Sequence, residues 1–286
     1  MPAIRLDGDA VAARIKDDLR TRLAALAERG VVPGLGTVLV GDDGPSANYV
    51  AMKQRDCAEL GIRGFHQHLP ADATEAHVLA VVERWNADPD VDAYLLQYPF
   101  PKHLDFESIL SRVDPAKDVD GLHPVNLGRL VQGVPAPLAC TPAGIQRLLV
   151  DYDVPIEGRH VVVVGRGLTI GRPLANLLSL KRRHANAAVT VVHTGVADLG
   201  PYTRSADILV AAAGAPGLIT PDLVKPGAAV IRGGVSFVGG KLRSDVVKEV
   251  DEIAGWASPA TGGVGSMTRA MLLVNTVEAA ERRAGH

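Results

Sequence analysis

Val161 to Pro173 reads VVVVGRGLTIGRP, and this stretch decides the fold class. Four consecutive valines are too short for a membrane span and suit a parallel strand covered on both faces. The chain then turns on Gly165 and Gly167. Both can take backbone angles closed to other residues and, lacking side chains, let a ligand's phosphates reach the main chain. Residues 170–180 predict a helix with Pro173 in its first turn, which aims free N–H groups and the positive end of the dipole at the loop. The spacing Gly-x-Gly-x-x-x-Gly, counting Gly171, is a variant of the dinucleotide fingerprint. A tight βα turn that binds nothing has the same glycines. A strand expected at residues 187–193, one helix later, completes a βαβ unit and favours the nucleotide. That strand ends in His193-Thr194-Gly195, with no acid to hold the ribose hydroxyls, and Arg166 stands inside the loop. Together these favour NADP over NAD.

Around this unit the chain has the makings of a second domain. Its 286 residues are enough for two ordinary cores. A hydrophobic content of 47% with 22% charged residues is that of a globular enzyme rather than a disordered or fibrous chain. The formal charge of −2 gives no reason to expect nucleic acid or an anionic membrane as partner. Cys57 and Cys140 match no zinc spacing and suggest a reducing compartment. The opening MPAIRLDGDA lacks an apolar h-region, so a cytoplasmic location is expected.

Residues 8–29 form an amphipathic helix, with Val11, Ile15, Leu19, Leu23 and Leu26 recurring at steps of three and four. A buried strand at 35–41 leads through the turn-rich DDGPS into a second helix that stops at Gly61. A strand near 62–68, a helix near 74–85 and a strand at 92–97 continue the βαβα order of a parallel sheet. From Tyr98 to Pro142 seven prolines exclude a long helix or central strand, which reads as a linker or the rim of a cleft. Thr141-Pro142 then opens a helix to about Tyr152. Further strands are expected at 207–213, at 228–231 and near Trp256, and a last helix at 267–283.

Four polar residues of the front half could do chemistry. Tyr49 and Lys53 share one face of the second helix, one turn apart, at the edge where open α/β sheets place their sites. A lysine desolvated beside a ring could have a lowered pKa and move protons near neutrality; a solvated lysine beside a tyrosine has the same spacing. Gln97 ends the strand DAYLLQ, either as a polar cap or as a carboxamide holding a ligand and a lysine. Asp120, before Gly121, is either an Asx-type turn residue or a carboxylate for the paired N–H groups of a nitrogen heterocycle. The nine histidines form no metal motif, and no metal is expected.

In combination, GDDGPSANYVAMKQRDC, LLQYPFPKH, DPAKDVDGLHPVNLG, CTPAGI, VVVVGRGLTIGRPLANLL and GGVGSMT resemble the bifunctional methylenetetrahydrofolate dehydrogenase/methenyltetrahydrofolate cyclohydrolase family over nearly the whole chain. The resemblance implies two three-layer α/β domains with a cleft between them. One is a parallel-sheet substrate domain of residues 1–140 plus 268–286, the other a Rossmann-like NADP-binding domain of residues 141–267. It implies oxidation of 5,10-methylenetetrahydrofolate by NADP⁺, then hydrolysis to 10-formyltetrahydrofolate. In this reading Lys53 is the general acid/base, Gln97 tunes it, Tyr49 packs on the folate and Asp120 bonds the pterin. Leu96, Tyr98, Gly262 and Gly263 join them around the substrate. Gly165, Arg166, Gly167, Thr194 and Val235 hold NADP, and a homodimer is expected.

The chain departs from the family pattern in its second half. Gly167 stands where serine is usual, and Arg232 replaces an acid beside the cofactor site. Thr261 and Ser266 replace two prolines, which is expected to loosen the substrate-side loop. Tyr98 and Phe100 stand where leucines are common, which would narrow the folate slot. These departures mark a divergent member. They also keep open a catalytically impaired folate- and NADP-binding paralogue, beside an unrelated NADP-dependent dehydrogenase.

Overall fold

The structure, a computed structural model, describes residues 2–285. It begins with the short strand β1 (Ile4–Arg5) and helix α1 (Gly8–Glu28), whose Val11, Ile15, Leu19 and Leu26 are buried. β2 (Gly34–Val40), α2 (Gly44–Leu60), β3 (Arg63–Leu69), α3 (Glu75–Ala87) and β4 (Ala93–Leu96) then alternate. The three strands β2, β3 and β4 form a parallel sheet in the order β3-β2-β4. β2 is its middle strand and is buried throughout, as an uninterrupted GLGTVLV must be when helices cover both faces. The residues read as a turn before α2 are its cap and first turn: the Asp43 carboxylate accepts from Ser46 N at 2.9 Å, and Pro45 lies at a helix start, where a missing N–H costs little.

The proline-rich stretch holds more structure than a linker. It folds into α4 (Phe106–Leu110) and α5 (Pro124–Gln132), each short enough to fit between prolines, with Pro124 as the first residue of α5. Between them residues 117–119 run beside β4, with Tyr94 N donating to Lys117 O at 2.8 Å and Tyr94 bridged in parallel to Asp118. The core beside this sheet packs Trp85 edge-on against Tyr94, ring centroids 5.5 Å apart, with Val38, Val82, Leu96 and Ile109.

The rear half comprises α6 (Cys140–Asp151), β5 (His160–Val164), α7 (Gly171–Ser179), β6 (Ala188–Val192), α8 (Gly200–Thr203), β7 (Ile208–Ala211) and β8 (Ala229–Arg232). The antiparallel hairpin β9 (Val235–Val238) and β10 (Lys241–Ser244), then β11 (Trp256–Ala257) and α9 (Val264–Arg283), complete it. The hairpin was not anticipated; Gly239-Gly240, both at positive φ, is its turn signal. The six-stranded parallel sheet runs β1-β11-β8-β7-β5-β6. β6 and β7 add on opposite sides of β5, which makes the carboxyl end of β5 the switch point where such sheets bind ligands.

Two compact units result. One contains Met1–Ala13, Leu130–Gly133 and Thr141–Thr268; the other Arg14–Arg129, Val134–Cys140 and Arg269–His286. The first thirteen residues, expected with the front domain, group with the six-stranded sheet because β1 pairs with β11, Ile4 opposite Trp256 and Arg5 opposite Ala257. That pairing depends on two residues, too few to show as a pattern in sequence.

One ion pair of the front unit gives a test of its packing. The buried Asp92 carboxylate accepts from Gly34 N at 2.9 Å and from Arg283 Nε at 2.5 Å. Arg283→Met leaves that carboxylate with a single partner and is expected to cost about 2 kcal/mol, less than a fully buried pair because Arg283 is partly exposed. Urea denaturation should show this loss, with the double variant Arg283→Met/Asp92→Asn recovering part of it.

Candidate functional site

In the front unit three features meet the carboxyl ends of parallel strands. Lys53 lies on α2, the helix that follows β2, and is only 8% exposed. Its Nζ donates to Gln97 Oε1 at 3.1 Å. Gln97 follows β4 directly, its backbone N–H donating to Val38 O at 2.8 Å, so the sheet itself fixes where the carboxamide starts. Gln97 Nε2 donates to Tyr98 O at 2.9 Å, which settles which end of the amide faces the lysine. Lys53 forms no ion pair with a carboxylate among the described residues. Tyr49 lies one turn before Lys53 and is partly exposed. The amine is thus withdrawn from water, held by a neutral acceptor and flanked by an open ring.

Asp120 falls at the end of the segment running beside β4. The turn-forming acid there is Asp118, missed in the sequence reading, and not Asp120. Asp118 Oδ1 accepts from Gly121 N at 3.1 Å, while Oδ2 accepts from His123 N at 2.8 Å and Asn126 Nδ2 at 2.9 Å. Burial pushes the Asp118 carboxyl above its usual range, with the hydrogen bonds from Asn126 and His123 opposing the shift. Asp120 itself is half-buried and accepts no side-chain hydrogen bond among the described residues, so its carboxylate is available. Spacing alone does not separate the two acids; Asn126, eight residues after the first, does so from α5.

Other expected residues are placed differently. The Leu96 side chain packs in the core with Val38 and Val40, leaving only its backbone to meet a ligand. Tyr98 is 61% exposed and meets Phe106 edge-on, as Phe100 does, with ring centroids 5.2 Å apart in each pair. Both cysteines are buried, and burial pushes the Cys57 thiol up to about 12 and the Cys140 thiol well above its ordinary value.

In the rear unit Gly165 has φ 124°, and a Cβ there would lie 2.1 Å from Ala212 O. Gly165 is therefore obligatory. Gly167 is not, since a Cβ there would meet nothing within 4 Å and its φ is ordinary, so of the two glycines able to take such angles only Gly165 does so. α7 begins at Gly171 without a side-chain cap, and its first N–H groups follow the loop. Arg166 and Thr194 are exposed beside it, and Arg166 Nη1 lies 3.3 Å from His193 Nε2. A side-chain-free approach, an uncapped helix start and a guanidinium form a donor set that fits a phosphorylated dinucleotide.

Two departures in this unit prove to be tied down. Arg232 ends β8 and is buried, and its guanidinium donates to Ser258 O at 2.8 Å, Val247 O at 3.1 Å and Asp251 Oδ1 at 2.7 Å. It is a structural cation rather than one offered to a ligand. The loop through Gly262 and Gly263 is not loosened either: Gly262 O accepts from Gly8 N at 2.9 Å and Asp9 N at 3.2 Å, and Ser266 Oγ donates to Asp9 Oδ1 at 2.5 Å. Asp245, another residue missed, is wholly buried and accepts from Ala213 N at 2.7 Å and Gly214 N at 2.9 Å. Its own N–H donates to Gly234 O at 3.1 Å, so it joins the loops after β7 and β8, just before Val235. No local pattern announces it.

Residues 6–120 match the family described as tetrahydrofolate dehydrogenase/cyclohydrolase, catalytic domain, and residues 139–284 match tetrahydrofolate dehydrogenase/cyclohydrolase, NAD(P)-binding domain. The chain is 57% identical over 284 residues to the bifunctional protein FolD of Syntrophotalea carbinolica, covering 99% of this chain and 98% of that one. The crystal structure of the bifunctional enzyme FolD-methylenetetrahydrofolate dehydrogenase/cyclohydrolase from Campylobacter jejuni matches with a TM-score of 0.94 at 39% identity, covering 98% of this chain and 99% of that one. The Trypanosoma brucei N5,N10-methylenetetrahydrofolate dehydrogenase-cyclohydrolase, complexed with NADP cofactor and inhibitor, matches with a TM-score of 0.94 at 37% identity over 100% of both chains.

The two loop glycines should separate cleanly in a dinucleotide-binding titration. Gly165→Ala is expected to weaken binding by about tenfold or more, because φ and contact are both forbidden to a Cβ, while Gly167→Ser stays near wild type. Arg232→Asp should lower the thermal midpoint by the equivalent of about 2 kcal/mol or more, since it removes three side-chain bonds and sets an acid near Asp251.

Proposed function

Because the chain belongs to the tetrahydrofolate dehydrogenase/cyclohydrolase family, we propose that it oxidises 5,10-methylenetetrahydrofolate to the 5,10-methenyl compound and hydrolyses this to 10-formyltetrahydrofolate. NADP⁺, when bound, supplies the hydride acceptor for the first step. The observation that carries the reading is the buried Lys53 amine held by Gln97 at the carboxyl edge of a parallel sheet.

In the hydrolytic step, water adds to the methenyl carbon and Lys53 takes a proton from it. As the bond from that carbon to N5 breaks, Lys53 returns a proton to N5 and the formyl group stays on N10. The hydroxyl proton of the adduct leaves as the formyl carbonyl forms, so one proton is released overall. Gln97 Oε1 keeps the amine in place through this cycle, because a neutral oxygen accepts an N–H bond from either the charged or the uncharged form. Tyr49 lies against the aromatic portion of the folate, and Asp120 accepts the paired N–H groups of the pterin. Tyr98, the backbone at Leu96 and the Gly262-Gly263 loop complete the substrate contacts. Gly165, Arg166, Gly167, Thr194 and Val235 bind NADP, with Arg166 and Thr194 at the 2′-phosphate.

The unit that carries Lys53, Gln97 and Asp120 serves the folate, and the unit that carries Gly165 and Arg166 serves the dinucleotide. A homodimer in the cytoplasm accompanies this reading, without nucleic acid or membrane as partner. No helix among the described residues is long and apolar enough to cross a membrane. The engagement of Arg232 and of the residues 261–266 loop by other groups removes the observations that favoured an impaired paralogue.

A two-step spectrophotometric assay tests the assignment. Lys53→Met is expected to slow methenyl hydrolysis by about a thousandfold, the range of a lost proton-transfer group, and to slow oxidation less. The methenyl intermediate should then accumulate. Equal loss of both steps, or no folate turnover by the wild-type protein with NADP⁺ or NAD⁺, contradicts it.

A further inference from the structure

The available carboxylate of Asp120 has a placement problem. With no side-chain hydrogen bond of its own among the described residues, it goes where its backbone goes. On one side that backbone is set by Asp118, which holds Gly121 N. Gly121 has φ 68°, and a Cβ there would lie 2.3 Å from the Leu138 carbonyl carbon, so residues 119–121 and 138–140 are pressed together. Cys140 N donates to Asp120 O at 3.2 Å, and Cys140 Sγ to Val119 O at 3.2 Å.

Both segments are fastened to one side chain of α9. Asn275 is 6% exposed, and its Nδ2 donates to Val119 O at 2.8 Å and to Leu138 O at 3.0 Å, with Cys140 Sγ at 3.5 Å. Asparagine is a poor residue for a helix interior and an expensive one to bury among Leu272, Leu273 and Val277 unless its polar atoms are met. Here the two N–H bonds go to two different segments, and nothing shorter than the whole clamp uses both. Leucine would fill the space and fasten neither. Aspartate would set an acceptor against two carbonyls.

We propose that Asn275 is a positioning residue for the folate step: it staples residues 119 and 138 to α9 and so sets the location of the Asp120 carboxylate. The proposal rests on the assignment of Asp120 to the pterin given above. Its consequence is selective. Loss of the staple disturbs folate binding while the dinucleotide loop, built in the other compact unit, is unaffected.

The test is a double-mutant cycle on the full chain with methylenetetrahydrofolate and NADP⁺. Asn275→Leu should raise KM for the folate by roughly tenfold, in line with the cost of misplacing a binding group by a fraction of an ångström, and leave KM for NADP⁺ within about twofold. In an Asp120→Ala background, Asn275→Leu should add little to KM, because the group it positions is gone. Asn275→Ser, which keeps one donor, should fall between and serves if the leucine variant does not fold. A folded Asn275→Leu or Asn275→Ser enzyme with wild-type folate KM overturns the proposal, as do single effects that multiply in full. Alkylation separates the causes of failure. An opened clamp exposes Cys140 to a thiol reagent ahead of Cys57, whether or not Asp120 serves the pterin. An Asp120→Ala enzyme with unchanged KM sinks the assignment of Asp120 itself.

Discussion

A primary amine withdrawn from water must be met by an acceptor, and the kind of acceptor decides what the amine can do. Lys53 is met by the carboxamide oxygen of Gln97. A carboxylate in that place would bind the charged form alone and oppose its loss of a proton. A neutral oxygen serves both forms. The geometry follows from the sheet: β2 delivers the lysine through α2, and β4 delivers the glutamine as the residue directly after its end. Neighbouring parallel strands necessarily end at the same edge, so two residues 44 apart in sequence meet without a dedicated loop.

Much of this is legible in the sequence alone. The alternation of strand and helix was readable because parallel strands are continuous apolar runs and the helices carry a 3.6-residue stripe, as α1 and β5 illustrate. Lys53 and Gln97 were identified as candidates, but only the structure separates a buried, partnered lysine from a solvated one, since burial depends on what α2 packs against. The two acids of the Asp118-Val119-Asp120 turn show the limit more sharply. Their spacing allows either to make the turn, and the choice is made by Asn126 and His123, which arrive from α5 and its approach. Long-range partners such as Asp245 and Asn275 leave no local mark, because one polar residue within an apolar stretch is read as noise.

The departures of the rear half follow a common logic. An acid replaced by Arg232 would be disruptive if nothing answered it, yet Asp251, Ser258 O and Val247 O receive the guanidinium. A proline at position 266 would stiffen the entry to α9 through its fixed φ, whereas Ser266 reaches Asp9 instead. Covalent restriction and a hydrogen bond to a neighbouring element are different means of limiting the same backbone. Reading Ser266 from the lost proline alone predicts looseness; reading it with its partner predicts order. Gly167 differs, because the space beside it is open and a Cβ there would meet nothing within 4 Å.

The same reasoning explains why carboxamides recur in the front unit. Gln97 and Asn275 each present an amide whose orientation is decided by where its N–H groups go, to Tyr98 O in one case and to Val119 O and Leu138 O in the other. An amide carries no net charge, so it can hold a neighbour in place without setting a second charge beside it. If Lys53 cycles a proton and Asp120 receives a ligand, as proposed, charged supports beside them would compete with that chemistry. Neutral dipoles fixed by backbone carbonyls provide the rigidity without that competition.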